Sequence, residues 1–472
     1  MIDNVFIQLN KRKIKYVVWK DTYRVDLFFM GDAELDLLVS EQYKNDFERI
    51  IHGDGFSKLK LDGFLRKDGI EHYIKFCNSK YYHLHVYYKI LTGNHYVKEY
   101  CFDLDEGIFS RALEVNGIQV VNVNDEFSLL LMRRALKHSL FFSSFKNSEI
   151  KRANELVDLI DLNEVDSLLL KYMHGNNFCH SDAINFVTSN KLSLRKKYSL
   201  KRMFVFHKKT NPFQFYFHYF LIRMHLLFLR VKRASNKRML NKGVSVGILG
   251  TDGSGKSTVA EKLLCMFRAK VSAKTIYLGG NSKTYSLSTR VFYFFYLMLR
   301  VFSPYKERLY VAWLLYCLGF NLLEYGKAKD RARRAERGVK LVQKGWVVIY
   351  ERFPIVGLFD FPNHLMELGK DEWKIRFGGR LIVRLQNKIR TIVEGISRPD
   401  FIFLLTVDFD QIQSRRKLTV LEEMDIKRKL ATQRKYLEKN ELGIIQVSNS
   451  GKIDKVLSTI ITMVNKKLCK YN

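Results

Sequence analysis

The second half of the chain alternates short apolar runs with longer stretches whose apolar positions recur every three or four residues. The runs Val244-Ser-Val-Gly-Ile-Leu249, Thr275-Ile-Tyr-Leu278, Trp346-Val-Val-Ile-Tyr350, Phe401-Ile-Phe-Leu-Leu-Thr-Val407 and Ile444-Ile-Gln-Val447 predict strands. Helical patterns such as Val259 to Ala269 and Lys327 to Lys344 lie between them. Apolar runs of that length, separated by helices, predict an α/β domain with a parallel sheet covered on both faces over residues 241–472. Residues 1–200 mix strand-like runs and helical stretches and predict an α+β domain. Residues 201–240 read as a basic, aromatic helical linker. Its helix begins at Asn211, carries Arg223 and Arg230, and is followed by Lys232, Arg233, Lys237 and Arg238. Two readings fit it: a helix packing one domain on the other, or an in-plane membrane helix with a basic flank. The uncharged run Leu309 to Leu323 is shorter than the ~18–20 apolar residues of a membrane span and predicts a buried helix.

Composition narrows the picture. At 472 residues, 47% hydrophobic and with only 5 prolines, the chain can fill two or three folded domains. A formal net charge of +32 favours phosphates, anionic lipid heads or nucleic acid. No aromatic-interleaved RNA-binding signature accompanies the charge, so nucleic acid is not the expected partner. The six cysteines are scattered without a CxxC pair, which points away from a zinc site or a disulfide framework. The opening residues, Met1 to Asn10, lack a basic segment followed by an apolar core, and a cytoplasmic protein is expected.

The sharpest motif is Gly250-Thr251-Asp252-Gly253-Ser254-Gly255-Lys256-Ser257-Thr258, which fits GxxxxGK[ST] between an expected strand and an expected helix. Glycines let the backbone curl so that successive N–H groups point inward at phosphate oxygens. The helix beginning near Lys256 adds the positive end of its dipole. In such a loop Lys256 bridges the outer phosphates of a nucleoside triphosphate, expected to be ATP, and the Ser257 hydroxyl is a ligand for Mg²⁺.

The same half resembles the thymidylate kinase family of P-loop kinases. Asp252 to Thr258 resembles that family's DGSGKST loop. Ala328-Lys-Asp330-Arg331-Ala332-Arg333, followed by Gly345-Trp-Val-Val-Ile-Tyr-Glu351-Arg352-Phe353-Pro354, resembles its ADRAQ helix and DRY strand end. Arg398-Pro399-Asp400 to Asp408, then Arg415-Arg416-Lys417, resembles the PDL strand and the arginine-bearing lid. The resemblance implies that Arg352 holds the transferred or acceptor phosphoryl group, and that Glu351, in place of aspartate, helps place Mg²⁺ or orients the acceptor oxygen. It implies that Asp252 and Arg331 meet the acceptor, and that Arg415 and Arg416 close over ATP. Two departures stand out: Tyr277-Leu278-Gly279-Gly280 lacks the family's arginine and proline, and residues 282–325 form a long aromatic insertion. Glu351-Arg-Phe-Pro354 is also similar to thymidylate-kinase-like proteins of bacterial surface-polysaccharide functions.

In the first half, Met30-Gly-Asp-Ala-Glu34-Leu-Asp36-Leu-Leu-Val39 resembles the DxDLLV strand of the nucleotidyltransferase superfamily. Carboxylates two apart on a strand share a face, and the resemblance implies that Glu34 and Asp36 hold Mg²⁺ there. The superfamily's Gly-Ser pair is absent, and His83 stands where a third carboxylate is expected. A degenerate domain that binds or positions a substrate is the preferred expectation. His83 and His85 are a further candidate metal pair, set against a structural role on an amphipathic strand. The expected function is phosphoryl transfer from MgATP, most economically to a nucleoside monophosphate. The alternatives are a sugar or glycan acceptor, or a non-catalytic switch governed by ATP occupancy.

Overall fold

The computed structural model describes residues 3–61, 63–94, 96–137, 147–173, 180–189, 194–231, 237–301, 310–355, 358, 379–415, 417–438 and 443–471. The chain forms two compact units, one comprising residues 1–240 with 469–472 and the other residues 241–468.

The first unit is built on a mixed sheet. Its strands are β1 (Tyr16–Lys20), β2 (Glu34–Val39), β3 (Ser57–Leu61), β4 (Ile70–Cys77) and β5 (Lys80–Tyr87). A separate hairpin of β6 (Ile90–Thr92) and β7 (Tyr100–Phe102) follows, then β8 (Leu113–Val115), β9 (Ile118–Val120) and β10 (Lys237–Met239). The large sheet runs β10-β3-β4-β5-β2-β1-β9-β8, with β2 parallel to β5 and β1 parallel to β9. Alternation along β2 sends its two faces into different cores. Leu35, Leu37 and Val39 pack with Val18, Phe47, Ile51 and Val86. Leu38 points the other way, into a cluster with Trp19, Tyr87 and Phe127. Glu34 and Asp36 share that second face. The stretch 201–240, expected as a linker, belongs to this unit, because β10 at its end pairs antiparallel with β3.

The second unit is a five-stranded parallel sheet. Its strands are β11 (Ser245–Gly250), β12 (Ala273–Tyr277), β13 (Val347–Glu351), β14 (Phe401–Thr406) and β15 (Ile445–Ser448), in the order β12-β13-β11-β14-β15. Each expected strand is present to within two residues. The helix Lys256–Arg268 buries Val259, Ala260, Leu263 and Phe267 on one stripe. Full burial of Val259, Leu263 and Phe267 is worth ~1.5–3 kcal/mol each.

The expected helices Leu309 to Leu323 and Lys327 to Lys344 are one element, Tyr310–Gln343, of 34 residues. Gly326, a residue that often ends a helix, lies between them, and the helix runs through it. Its partner is the antiparallel helix Leu287–Arg300. A Cβ at Gly326 would stand 2.8 Å from Thr289 Oγ1, so glycine permits the close crossing. The chain leaves β11 toward one edge of the sheet and later returns to the other side of it. That switch opens a crevice at the carboxyl end of β11.

Candidate active site

At the end of β11 the chain turns through residues 250–255 and enters the helix at Lys256. Gly255 caps that helix with φ 86°, and a Cβ there would meet Asn449 Nδ2 at 2.6 Å. Only glycine satisfies both conditions. Asn449, just past β15, donates from Nδ2 to Ser254 O at 2.7 Å and buttresses the loop. Arg415 does the same from the end of the helix Phe409–Arg415, donating to Gly253 O at 3.3 Å and Asn449 O at 2.6 Å.

Inside the loop Lys256 is 7% exposed and donates from Nζ to Thr251 O at 2.6 Å. Asp252 draws three cations together. Its carboxylate is 3.0 Å from Arg352 Nη2, 3.4 Å from Lys429 Nζ and 3.7 Å from Lys256 Nζ. Burial pushes the Lys256 ammonium down to about 8; Arg352 and Lys429 add to that, while Asp252 and Glu351 oppose it. Burial by itself would raise the Asp252 carboxyl, but Lys256, Arg352 and Lys429 hold it below the usual range. The buried Thr251 hydroxyl has no hydrogen-bond partner among the described residues. A polar atom left so at a phosphate-binding loop is suited to a ligand.

Glu351 ends β13 and Arg352 follows it in left-handed backbone, φ 59°. A side chain held there costs of order 1–3 kcal/mol, the kind of strain that gathers at functional sites. Ser257 Oγ hydrogen-bonds to Glu351 Oε1. This pair of hard oxygen donors beside a phosphate loop matches the chemistry of a Mg²⁺ ligand set. Thr258 is exposed in the first helical turn.

A cavity of about 220 Å³ opens between the loop and the ends of β12 and β13. Lys256, Arg331, Arg352 and Lys429 line it with Asp252, and Phe353, Pro354 and Ile355 form an apolar wall. Arg331 reaches it from the long helix, donating from Nε to Leu278 O at 3.0 Å. A Cβ at Gly280 would lie 3.3 Å from Arg331 Nη2. Arg331 therefore supplies a cation beside the Gly279-Gly280 turn, where the sequence has no arginine of its own.

The structure thus gathers Asp252, Lys256, Arg331 and Arg352 at one cavity, with the Ser257–Glu351 pair at the same strand ends. Arg415 lies against the loop carbonyls, and Arg416 falls outside the described residues. Sequence reasoning missed Lys429 and Asn449. Lys429 sits in the helix Val420–Glu438, 2.6 Å from Asp425 one turn earlier, and nothing in that run separates it from its basic neighbours.

The first unit holds a second polar cluster. Register pairs Glu34 with His83 and Asp36 with His85, and it sets His72 opposite His85. His83 Nδ1 is 2.8 Å from Glu34 Oε2, and His85 Nδ1 is 3.0 Å from Asp36 Oδ1. Lys20 Nζ lies 3.4 Å from Asp36. Burial pushes His85 down to about 4, so its ring is neutral near pH 7. A cavity of about 310 Å³ beside the cluster is bordered by His72, His85, Lys67, Lys98 and Lys237. The carboxylates expected to hold Mg²⁺ are engaged by protein cations and rings. Among the described residues, no group of three or more His, Cys, Asp or Glu side chains is arranged to hold a metal ion.

No family model and no curated protein matches the chain. Among solved structures it is similar to a thymidylate kinase from Candida albicans, at 20% identity and a TM-score of 0.29, over 49% of this chain and 94% of that one. The second unit's own features are a parallel sheet with a glycine loop curling from its central strand into a helix, an α/β arrangement of the P-loop type.

Proposed function

We propose that the second unit transfers the terminal phosphoryl group of ATP to an acceptor seated in the 220 Å³ cavity. One observation carries this reading: Lys256, Arg352, Arg331 and Lys429 converge on a single crevice with one carboxylate, Asp252, among them. Phosphoryl transfer asks a protein for alignment and charge neutralisation rather than covalent chemistry, and converging cations supply both.

In this reading the loop N–H groups and Lys256 hold the donor phosphates. Ser257 and Glu351 would hold Mg²⁺, which when bound neutralises charge on the phosphates. Arg352, fixed in its strained backbone, lies between donor and acceptor and steadies the group in transit. Arg331 grips the acceptor's own anionic group, while Phe353, Pro354 and Ile355 shield the reacting atoms from water. A nucleoside monophosphate such as thymidine monophosphate is the most economical acceptor, since it offers an anion for Arg331 and an apolar base for the wall. A sugar or glycan is the second reading, favoured by the lack of an arginine and a proline before Gly279 and by the long aromatic stretch 282–325. The first unit serves as a binding or positioning module.

The test is transfer from γ-labelled ATP with Mg²⁺, offering thymidine monophosphate, other nucleoside monophosphates and a glycan extract in parallel. Label on thymidine monophosphate supports the first acceptor, and label only in the extract supports the second. Binding of ATP with no transfer to any acceptor would replace the enzyme with an ATP-governed switch. Transfer that survives Lys256→Ala would refute the site.

A further inference from the structure

The helix Pro212–Val231 spans 20 residues, or about 30 Å at 1.5 Å per residue. Ile222 is buried beneath it, with Phe215, Tyr219 and Leu226 half-buried on the same side. The opposite side is open and apolar. Phe213 is 79% exposed and Phe220 60%, and Tyr216, Phe217, Met224, Leu227 and Phe228 are all more than half exposed. At 100° per residue these side chains fall within an arc of roughly 120°, and Arg223 lies just beyond its edge. So continuous an apolar stripe is more than a water-facing surface ordinarily leaves uncovered.

A second helix, in the other unit, repeats the pattern. On Leu287–Arg300, the exposed residues Leu287, Val291, Phe294, Phe295 and Met298 form one stripe, bordered by Arg290.

Charge indicates what covers these faces. Neither helix contains an aspartate or glutamate. The first is followed directly by Lys232 and Arg233, in a chain of net charge +32. A second copy would bring an equal positive charge to the interface and be repelled. A surface of anionic headgroups is complementary both to the stripe and to its basic surroundings. Among the described residues no helix is long and apolar enough to cross a membrane, and a one-sided stripe suits a helix lying in the plane of the headgroups.

We propose that the exposed face of Pro212–Val231 docks on an anionic lipid bilayer, and that Leu287–Arg300 is a second contact of the same kind. The aromatic and aliphatic side chains enter the boundary between headgroup and acyl chain. The flanking arginines and lysines stay at the phosphate level, as long amphipathic side chains do. This docking does not depend on the phosphotransfer reading.

The test is co-sedimentation of the full chain with vesicles of phosphatidylcholine alone or mixed with phosphatidylglycerol. The chain should pellet with the anionic vesicles, less so as salt is raised, and little with the neutral ones. Phe217→Glu with Phe220→Glu should lower the partition coefficient on the order of 100-fold. Both side chains are exposed, so the melting temperature should hold, and Phe217→Leu with Phe220→Leu should retain binding. Phe294→Glu with Met298→Glu should weaken it separately. Failure to pellet with either vesicle, or equal pelleting by the Glu variants, would overturn the proposal. A lipid-free dimer lost in Phe217→Glu with Phe220→Glu would assign the face to a second copy and overturn it as well.

Discussion

The Lys256 ammonium offers a direct measure of how the phosphate loop is built. Burial, with help from Arg352 and Lys429, brings it from 10.5 down to about 8 in the ligand-free protein. That depression corresponds to about 3 kcal/mol favouring the neutral amine. A bound polyphosphate reverses the balance, since it brings negative charge against the same nitrogen. Near pH 8 about half of the free protein carries a neutral Lys256, so binding ADP should take up about half a proton there. Uptake should approach one proton near pH 9, fade above about pH 10.5 and vanish near pH 6.5. Between about pH 8 and 10.5 the ADP affinity should fall by up to about tenfold per pH unit.

The assay is calorimetric titration of ADP in paired buffers of different ionisation enthalpy, comparing the wild type with Lys256→Met. The phosphate's own second ionisation, near pH 6, does not contribute at the alkaline end. Uptake near pH 9 that is absent in the wild type, or persists unchanged in Lys256→Met, would refute the reasoning. The same depression has a sign for stability. A lysine whose folded value lies below its unfolded one contributes stability above pH 10.5 and loses it as pH falls through about 8. Nucleotide binding, which offsets that loss, should therefore raise the melting temperature most strongly near neutral pH.

Two further outcomes are expected. Arg331→Met should raise the KM for the acceptor by about 10- to 100-fold, the loss of one charge-assisted hydrogen bond, while the KM for ATP stays within about twofold; equal effects on both would remove Arg331 from the acceptor side. In the first unit, Lys20→Met should lower stability by about 3–5 kcal/mol, because it leaves Asp36 buried without its ammonium partner. Chemical denaturation checks this, and an unchanged midpoint would mean that His85 and Arg133 suffice for Asp36.

Much of the second unit was legible because its signals are local. The apolar runs ending at Leu249, Tyr350 and Val407 have the length of buried strands, and a loop of fixed spacing requires the glycines before Lys256. Glu351 and Arg352 could be placed at a strand end because β13 announces itself as Trp-Val-Val-Ile-Tyr. That Leu309 to Leu323 and Lys327 to Lys344 form one helix was not legible, because its passage through Gly326 is supported by a neighbour, Leu287–Arg300, packing along it. The stretch 201–240 read as a linker because three residues, Lys237–Met239, are too short a run to declare a strand without β3 beside them.

The sequence by itself determined the βα order of the second unit, the phosphate loop, and the shared face of Glu34 and Asp36, since each follows from spacing along a few neighbouring residues. The tertiary structure alone decided which charges meet. It brought Lys429 to Asp252 across 177 positions and set Arg331 beside the Gly279-Gly280 turn. It also closed the Glu34 and Asp36 carboxylates with His83, His85 and Lys20. Coulombic and hydrogen-bonded contacts act over a few ångströms of space, and the chain's order records them only where neighbours in sequence are also neighbours in the fold.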